Sequence, residues 1–415
     1  MAHSPRFCLS AAVCGFALLT LSACTMSQAP IGNPEAPYPL LQPPQVGDIV
    51  HIPTGTRVND AEMLAAATDA HIVYVGETHD NPASHRLQLA VIEAMVERWP
   101  GQVSLGMEMF TRKQQPVLDR WIAGELSEKE FLKASDWHAN WSMDFALYRD
   151  ILVYARDHRI PVIGLNAEKD LIKAIGRGAP EELSAEERER LPEMDMADPY
   201  QTAMTEAIFG GHDAGDSRLA GFLRVQTLWD ETMADSVTNH LLTCLDGSRR
   251  MVVLAGGNHI RYGFGIPRRV FRRLPTSYVL IGSHEIDIPE SKKDRLMDVD
   301  MPVFPMPPYD YMVHTAYEDL PGERVKLGVR MEEKDGKVVV QGVVPGSSAE
   351  KAGVQAGDII VALNGEPVNE SFDLIYAVGQ KVKGDKGVLE VERGGERLKI
   401  ALEFMPLPPM EGHKP

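Results

Sequence analysis

Cysteine and positive charge are both in short supply in this chain. It has four cysteines in 415 residues, and 42 lysines and arginines against 59 aspartates and glutamates, for a formal net charge of -17. No basic stripe is visible of the kind that a nucleic-acid binder uses to neutralise phosphates. We therefore exclude nucleic acid as a partner, and beyond that the acidic balance indicates only a soluble protein.

The first 24 residues are typical of an export signal. Arg6 precedes an apolar run, 7–21, that is too short to span a membrane comfortably, and small residues follow it. Since Leu21-Ser22-Ala23-Cys24 resembles a lipobox, we expect Cys24 to be acylated and to anchor the mature protein in the membrane. Thr25 stands where an Asp would indicate inner-membrane retention, which favours the outer membrane. The alternatives are an ordinary signal that is cut nearby and a membrane helix.

This interpretation also decides the state of the cysteines. Cys8 and Cys14 leave with the signal and Cys24 carries lipid, so that Cys244 is the one thiol left. No intrachain disulfide is then expected. Because Cys244 lies in the apolar stretch 241–245, we expect it to be buried and inert.

The rest of the chain divides by pattern. Residues 25–47 are rich in proline and small residues, as in a tether, and 48–285 alternate apolar strand-like runs with helical patterns. The five runs are His71–Val75, Val103–Met107, Pro161–Leu165, Met251–Ala255 and Tyr278–Ile281. Such alternation predicts an α/β domain, with a mainly parallel sheet and helices on both faces. Residues 286–321, with their proline-rich stretch, predict a linker to a second domain at 322–405.

Polar residues follow these runs at the point where each strand is expected to end. Glu77 and His79 follow the first run, Glu108 the second, Asn166 the third, and Asn258 and His259 the fourth. In an open parallel sheet, ligands bind beyond the carboxyl ends of the strands. We therefore expect these side chains to lie along one rim.

Each rim residue also has a purely structural interpretation. Glu77 and Glu108 could be carboxylates at helix starts, and His79 could cap a turn. His85, on the helix after the first run, is typical of a surface or packing residue. His259 follows two glycines, which permit a close approach to a ligand and favour a role in a site. Two histidines and two glutamates could also hold a divalent metal, although their spacing forms no familiar zinc pattern.

Five motifs in the first domain resemble those of ChaN-type proteins, and they occur in the expected order between about residues 50 and 285. They are Gly76-Glu77-Thr78-His79 with His85, Gly106–Phe110, Gly164–Ala167, Gln226–Ala234 and Gly256–Pro267. The resemblance implies haem binding by a surface lipoprotein that is linked to iron uptake. The ligand-binding set would then comprise Glu77, His79, His85, Glu108, Asn166, Asn258, His259 and Tyr262.

Haem iron needs an axial donor, and Tyr262 and His259 are the candidates in the closing motif. If this motif starts a helix, the two residues share one face. Three nearby arginines could pair with the propionates, and three apolar side chains could line the macrocycle. These are Arg261, Arg268 and Arg269, and Phe264, Ile266 and Met109. A half-exposed site of this kind would be closed by a second copy, which predicts a homodimer with haem.

The same superfamily includes Tiki-type metalloproteases and erythromycin-esterase-like hydrolases, which share a Gly-x-x-His signature. Gly76-x-x-His79 and Gly256-x-x-His259 both fit it, so a metal-dependent hydrolase is the alternative function. Its catalytic candidates are Glu77, His79, Glu108 and His259. The late helix has Asp230-Glu231 where an Arg-Asn pair is expected, which argues against a protease and favours a binding protein. A non-catalytic scaffold is the third alternative.

The second domain resembles a bacterial PDZ domain over residues 322–405. The resemblance rests on Lys326–Val329, Val338–Ala349, Gly353–Ile360 and Leu363–Gly365. It implies a small β-rich fold with two helices. The backbone N–H groups of Leu327, Gly328 and Val329 would bind the C-terminal carboxylate of a peptide or protein partner, which adds a strand to the sheet. The alternative is a domain that only packs against its neighbour.

Overall fold

The computed structural model describes residues 38–210, 218–243, 247–293, 299–322 and 324–407. The expected signal segment, its lipidated Cys24, and Cys244 lie outside the described residues. Among the helices in the described ranges, none combines the length and the apolar character that crossing a membrane requires.

The first domain is built on an eight-stranded sheet. Its strands are β1 (Ile49–His51), β2 (Thr56–Val58), β3 (Ile72–Glu77), β4 (Val103–Thr111), β5 (Val162–Asn166), β6 (Arg250–Gly256), β7 (Tyr278–Asp287) and β8 (Tyr311–Ala316). They are ordered β2-β1-β8-β7-β3-β6-β4-β5, and the six from β8 to β5 are parallel. Every residue of β3 is buried, as in a central parallel strand that is covered on both faces. The predicted mainly parallel sheet is confirmed.

Helices cover both faces of this sheet. They are α1 (Asp60–Thr68), α2 (Pro82–Arg98), α3 (Gln115–Ile122), α4 (Glu128–Ala134), α5 (Trp137–Asn140), α6 (Arg149–Asp157), α7 (Lys169–Arg177), α8 (Ala185–Glu189), α9 (Pro199–Gly210), α10 (Leu219–Leu242), α11 (Gly257–Ile260), α12 (Ile266–Arg273) and α13 (Glu290–Lys293). Val73 and Val75 of β3 join a core with α2, α3 and α6, whereas Ile72 and Tyr74 face α10 and α12. The alternation of side chains along β3 therefore supplies both cores.

Local sequence accounts well for the start of α2. The side chain of Asn81 accepts a hydrogen bond from the backbone N–H of Ala83, and Pro82 occupies the first helical turn. These are the residue types that favour a helix start. The helix then buries Val91, Ile92 and Met95 against the sheet, at the spacing that the sequence predicts.

The prediction that residues 286–321 form a linker is wrong. They contain α13 and the strand β8, which lies in the main sheet between β1 and β7. Tyr309 and Phe304 before it are buried against the first domain. The strand β8 forms by pairing with strands that are distant in the sequence. Because its own flanking sequence is charged and rich in proline, local pattern predicts a linker there.

The second domain has its own sheet and core. Its elements are β9 (Val329–Lys334), β10 (Lys337–Val343), α14 (Ser348–Ala352), β11 (Ile359–Leu363), β12 (Glu366–Pro367), α15 (Ser371–Gly379), β13 (Lys386–Arg393) and β14 (Glu396–Glu403). The strand order is β14-β13-β11-β10-β9, with β12 beside β11, so that β9 is an edge strand. The expected small β-rich domain with two helices is confirmed.

Candidate functional site

The rim residues of the first domain do come together at the carboxyl ends of β3, β4 and β6. Glu77 closes β3 and lies opposite Gly256, the last residue of β6. Glu77, Glu108 and His259 are all buried, with 5%, 6% and 8% of their surface exposed. Buried ionisable groups need partners, and each of these has them. They form two polar clusters, one around Glu77 and the other around His259.

In the first cluster, the Glu77 carboxylate is the common acceptor. It accepts hydrogen bonds from His79 Nδ1 at 2.7 Å, from the Tyr148 hydroxyl at 2.7 Å and from Gln88 Nε2 at 2.6 Å. Burial alone raises the pKa of Glu77, but the hydrogen bond from His79 and the charges of His85 and His79 outweigh it, so that the pKa is lowered. Glu77 is therefore a carboxylate at neutral pH.

His79 is the most accessible ionisable group of this cluster, with 33% of its side chain exposed. Burial lowers its pKa, but the Glu77 hydrogen bond and the charges of Glu108 and Glu77 outweigh burial and raise it. With Nδ1 held by Glu77, the neutral imidazole directs its lone pair from Nε2. In the described part of the chain, Nε2 makes no hydrogen bond. His79 can thus serve as a base or as a ligand.

His85 is neither a surface residue nor a group that faces solvent. It is 4% exposed, its Nε2 donates to the carbonyl oxygen of His79 at 3.0 Å, and its Nδ1 lies 3.1 Å from Gln88 Oε1. His85 therefore positions the backbone of His79 and the Gln88 side chain that holds Glu77. Its packing interpretation fits the structure.

In the second cluster, His259 lies between two carboxylates. Its Nδ1 is 2.7 Å from Asp230 Oδ1, and its Nε2 is 3.6 Å from Glu108 Oε1. The other oxygen of Glu108 accepts a 2.7 Å hydrogen bond from the backbone N–H of Gly256. Burial lowers the pKa of His259, but the charges of Glu108 and Asp230 outweigh it and raise the pKa to about 9. At neutral pH this is an imidazolium with both nitrogens directed at carboxylates.

Sequence reasoning missed the role of Asp230 in this cluster. Asp230 lies on α10, 2% exposed, and its second oxygen accepts a hydrogen bond from Gln201 on α9. The adjacent Glu231 is fully buried and pairs with Arg269, Arg272 and Arg273. The signal in the sequence was the acidic pair Asp230-Glu231, which occupies the place where an Arg-Asn pair is expected in the Tiki-type proteins.

The two asparagines of the expected rim have different surroundings. Asn166 Nδ2 donates to the carbonyl oxygen of Glu108 at 3.0 Å, and its Oδ1 accepts from Ala167 N at 2.8 Å, so that it ties the end of β5 to β4. Asn258 is exposed on α11. Asn258 is therefore accessible to a ligand, whereas both polar atoms of Asn166 are engaged in the backbone.

The helical face expected to join His259 and Tyr262 is not formed. The helix α11 ends at Ile260, and Tyr262 has a φ of +58°, outside the helical region. Tyr262 is instead 6% exposed and stacks on Phe264, with ring centroids 5.2 Å apart. The backbone N–H of Tyr262 donates to the carbonyl oxygen of Pro308, which ties this turn to the segment before β8.

Tyr262 belongs to an aromatic cluster that we define as Tyr200, Tyr262, Phe264 and Phe304. Tyr200 stacks on Phe264 at 5.3 Å with an interplanar angle of 11°, and Phe304 meets the rings of Tyr262 and Phe264 edge-on. Tyr200 is 43% exposed, so one phenol of the cluster reaches solvent. Sequence reasoning missed Tyr200 and Phe304, since they lie about 60 and 40 residues away from the motif that they complete.

Most of the other residues expected to contact haem are buried or already paired. Met109 and Ile266 are core residues on opposite faces of the sheet and form no exposed apolar wall, so that expectation is wrong for both. Arg269 is fully buried in its pair with Glu231, and Arg268 pairs with Asp195 at 2.9 Å. Arg261 is the expected propionate partner that remains available. Its Nε is buried without a hydrogen bond within the described residues, and its guanidinium lies 5.1 Å from the Tyr262 ring.

No group of three or more His, Cys, Asp or Glu side chains in the described ranges is arranged to hold a metal ion. In the first cluster Glu77 accepts from His79 and lies near His85, and in the second cluster His259 lies between Asp230 and Glu108. What this arrangement offers chemically is a carboxylate-oriented base at His79 and a buried cation at His259.

In the second domain, the loop before β9 has the geometry expected of a carboxylate-binding loop. Gly328 has a φ of +83°, which a side chain would strain, and Leu327 and Gly328 are buried. Among the described residues, neither of their backbone N–H groups donates a hydrogen bond. A cleft of about 610 Å³ opens here, and α15 contributes Leu374 and Val378 to its wall.

Two family models match this chain. The family described as haem-binding uptake, Tiki superfamily, ChaN matches residues 63–270, and a PDZ domain matches residues 325–404. A solved structure of cofacial haem binding to ChaN of Campylobacter jejuni is similar to 64% of this chain and 95% of that chain, with 16% identity and a TM-score of 0.49.

Curated relatives are similar over shorter lengths. A probable periplasmic serine endoprotease, DegP-like, of Hahella chejuensis is 41% identical over 73 residues, which is 18% of this chain and 15% of that protein. The periplasmic serine endoprotease DegP of Escherichia coli strain K12 is 28% identical over 160 residues, 39% of this chain and 28% of that protein. This chain therefore spans less than a third of these relatives. Since the family match covers half of the chain, the protein belongs to the ChaN family of haem-binding uptake proteins in the Tiki superfamily, and a PDZ domain follows its ChaN-like domain.

Proposed function

We propose that this protein binds haem at the aromatic cluster of its ChaN-like domain, as a lipid-anchored protein of the cell envelope that serves iron uptake. The observation that carries the proposal is the cluster itself, in which the exposed Tyr200 stacks on Phe264 beside Tyr262. Membership of a haem-binding family supports it. Haem supplies the iron that is taken up, and it is the cargo of the protein.

The residues present meet the three demands of haem. A phenol oxygen can serve as the axial donor to ferric iron, and Tyr200 and Tyr262 supply two. Tyr200, the exposed ring of the cluster, provides an apolar surface for the macrocycle, with the buried rings of Tyr262, Phe264 and Phe304 packed behind it. Arg261, whose Nε lacks a partner in the described residues, can pair with a propionate.

The geometry favours a tyrosine over His259 as the axial donor. Both nitrogens of His259 face carboxylates, and its raised pKa of about 9 keeps it protonated at neutral pH. A protonated imidazole has no lone pair for iron. Of the two tyrosines, Tyr200 is accessible without any rearrangement, whereas Tyr262 is 6% exposed.

The test is an absorption titration of the purified protein with ferric haem, together with sedimentation analysis with and without haem. We expect a shifted Soret band and a haem-dependent dimer, because the exposed side of the cluster would be covered by a second copy. A spectrum equal to that of free haem would contradict the proposal.

We further propose that the PDZ domain recruits a partner through the partner's C-terminus. The backbone N–H groups of Leu327 and Gly328, which donate no hydrogen bond within the described residues, support this, as does the edge strand β9, to which a peptide can add a strand. Val329, the first residue of β9, lies where such a peptide would begin its pairing. A peptide with a free carboxylate should bind, and its amidated form should bind much more weakly.

A second candidate function, a metal-dependent hydrolase, has its own supporting observation. The Glu77–His79 pair and the Asp230–His259–Glu108 cluster meet at the rim, where a carboxylate-oriented histidine can act as a base. Metal analysis of the purified protein and assays with ester and peptide substrates test it. Hydrolysis that tracks bound divalent metal would support it.

A further inference from the structure

The groove of the PDZ domain faces the ChaN-like domain across the cleft of about 610 Å³. One wall consists of PDZ residues that include Leu327, Gly328, Leu374 and Val378. The other wall is lined by residues 142–146 together with Glu128, Leu132, His138 and Arg149. We propose that the cleft is one composite peptide-binding site, in which the ChaN-like domain supplies residues 142–146 as the second wall for a peptide with a free C-terminus and an apolar last side chain. The inference rests on the proposed function of the PDZ domain.

Contacts between the two domains hold the two walls of the cleft in a fixed relative position. The ion pairs across the interface are Lys129 with Asp373 at 2.6 Å, Arg324 with Asp144 at 3.0 Å, and Lys133 with Glu370. Such half-exposed pairs stabilise little individually. Phe372 and Tyr376 of α15 also pack against the core of the ChaN-like domain. Because α15 is itself one side of the PDZ groove, this packing fixes the distance between the groove and residues 142–146.

The charges at one end of the cleft suit a peptide carboxylate. The backbone N–H groups of Leu327 and Gly328 are directed at no acceptor within the described residues. Lys326 lines the cleft there and has no ion pair in the described ranges, whereas Arg324 is already paired with Asp144. A negative chain terminus is the complementary group.

The wall from the ChaN-like domain has an apolar patch beside its polar and charged side chains. Met143, Phe145 and Ala146 contribute to it, in and before the short 3₁₀ turn Phe145–Leu147. A peptide paired with β9 alternates its side chains, so that every second one turns away from the PDZ sheet. Those side chains would contact this wall, which therefore selects the residues upstream of the C-terminus.

The wall from the ChaN-like domain lies next to two tryptophans, one of which contacts the rim residue His79. Trp137 Nε1 donates to the carbonyl oxygen of Met143 at 3.0 Å, and the Trp141 ring lies 5.0 Å from that of His79. The PDZ match, residues 325–404, contains no tryptophan. A change in tryptophan emission on peptide binding would therefore come from the ChaN-like domain.

The experiment begins with selection on the full chain, from a random heptapeptide library displayed with free C-termini. Enriched peptides without tryptophan are synthesised with a fluorescent label, and their Kd is measured by anisotropy. Ala146→Trp fills the wall and should weaken binding by about tenfold or more. Ala66→Trp, on the exposed face of α1 outside the cleft, is the matched control and should change the Kd by less than about twofold.

Tryptophan emission with the unlabelled peptides is the second readout, and it needs no cleft variant to fold. We expect a saturable change that Trp141→Phe diminishes. If emission does not change and Ala146→Trp binds as the unmodified chain does, the PDZ domain binds peptide alone and the composite site is wrong. If no peptide is enriched, carboxylate capture itself fails, and the composite site fails with it.

Discussion

His259 Nδ1 lies 2.7 Å from Asp230 Oδ1 in a buried pair that joins the closing motif to α10. The carboxylates of Glu108 and Asp230 keep the imidazole protonated well above its ordinary range, with a pKa of about 9. This pair has consequences for stability and for the choice of the haem ligand.

The first prediction concerns pH. The folded pKa of His259 is raised from 6.5 to about 9, so its stabilising contribution is fully present below about pH 6.5 and is lost as pH rises through about 9. We expect the free energy of unfolding to fall across that window.

Asp230→Asn should flatten this fall, because it removes one of the charges that raise the pKa of His259. Asp235→Asn, on the same helix but paired with Arg112, should leave the slope unchanged. Chemical denaturation at several pH values measures the free energy of unfolding of the unmodified protein and of both variants. Equal slopes against pH for all three proteins would contradict the assignment of this pH dependence to His259.

The second prediction concerns the haem ligand. Tyr200→Phe should weaken haem binding or shift the Soret band, because it removes the exposed phenol oxygen and keeps the ring stack. Tyr262→Phe tests the buried alternative in the same way. Tyr154→Phe, on α6 and outside the aromatic cluster, is the control and should behave as the unmodified protein. Unchanged spectra for both cluster variants would exclude tyrosine ligation.

The third prediction separates the two candidate functions. Glu77→Gln removes the carboxylate that orients His79, so any hydrolytic activity should fall by about two orders of magnitude or more. The Soret band should remain as in the unmodified protein, since Glu77 lies outside the aromatic cluster. Parallel hydrolysis assays and haem titrations make the comparison. Loss of haem binding together with retained hydrolysis would reverse our assignment of the two sites.

The fourth prediction concerns the glycine at the end of β6. A Cβ on Gly256 would lie 2.9 Å from Cε1 of His79, which is closer than side chains tolerate. We expect Gly256→Ala to destabilise the protein by about 1–3 kcal/mol and to displace His79. Gly379→Ala, at the end of α15 with open space around the new methyl group, should not destabilise it. Thermal unfolding compares the two, and equal stability of both variants would show that His79 moves without cost.

The fifth prediction concerns the membrane anchor. Because Leu21-Ser22-Ala23-Cys24 resembles a lipobox, Cys24→Ala should leave the protein soluble in the periplasm, or uncleaved. Cell fractionation and metabolic labelling with a fatty acid measure this. An acylated variant in the outer-membrane fraction would show that Cys24 is not the lipidated residue.

Sequence by itself determined the parts of this protein that depend on local pattern. The five apolar runs became β3 to β7, and the Asn81-Pro82 start of α2 formed as its residues predict. The polar residues after these runs converged at one rim, because parallel strands end on the same side of a sheet. The second domain was readable for the same reason, since its loop and strand motifs are contiguous.

Only the tertiary structure decided the relationships between distant residues. The strand β8 forms by pairing with β1 and β7, although its surroundings look like a linker. Asp230 and His259 meet across 29 positions, and Tyr200 of α9 stacks on Phe264 in the loop before α12. No local periodicity encodes such contacts, because each depends on how packed helices and strands bring separate segments together. For the same reason the second wall of the PDZ cleft, supplied by the ChaN-like domain, is visible only in the folded chain.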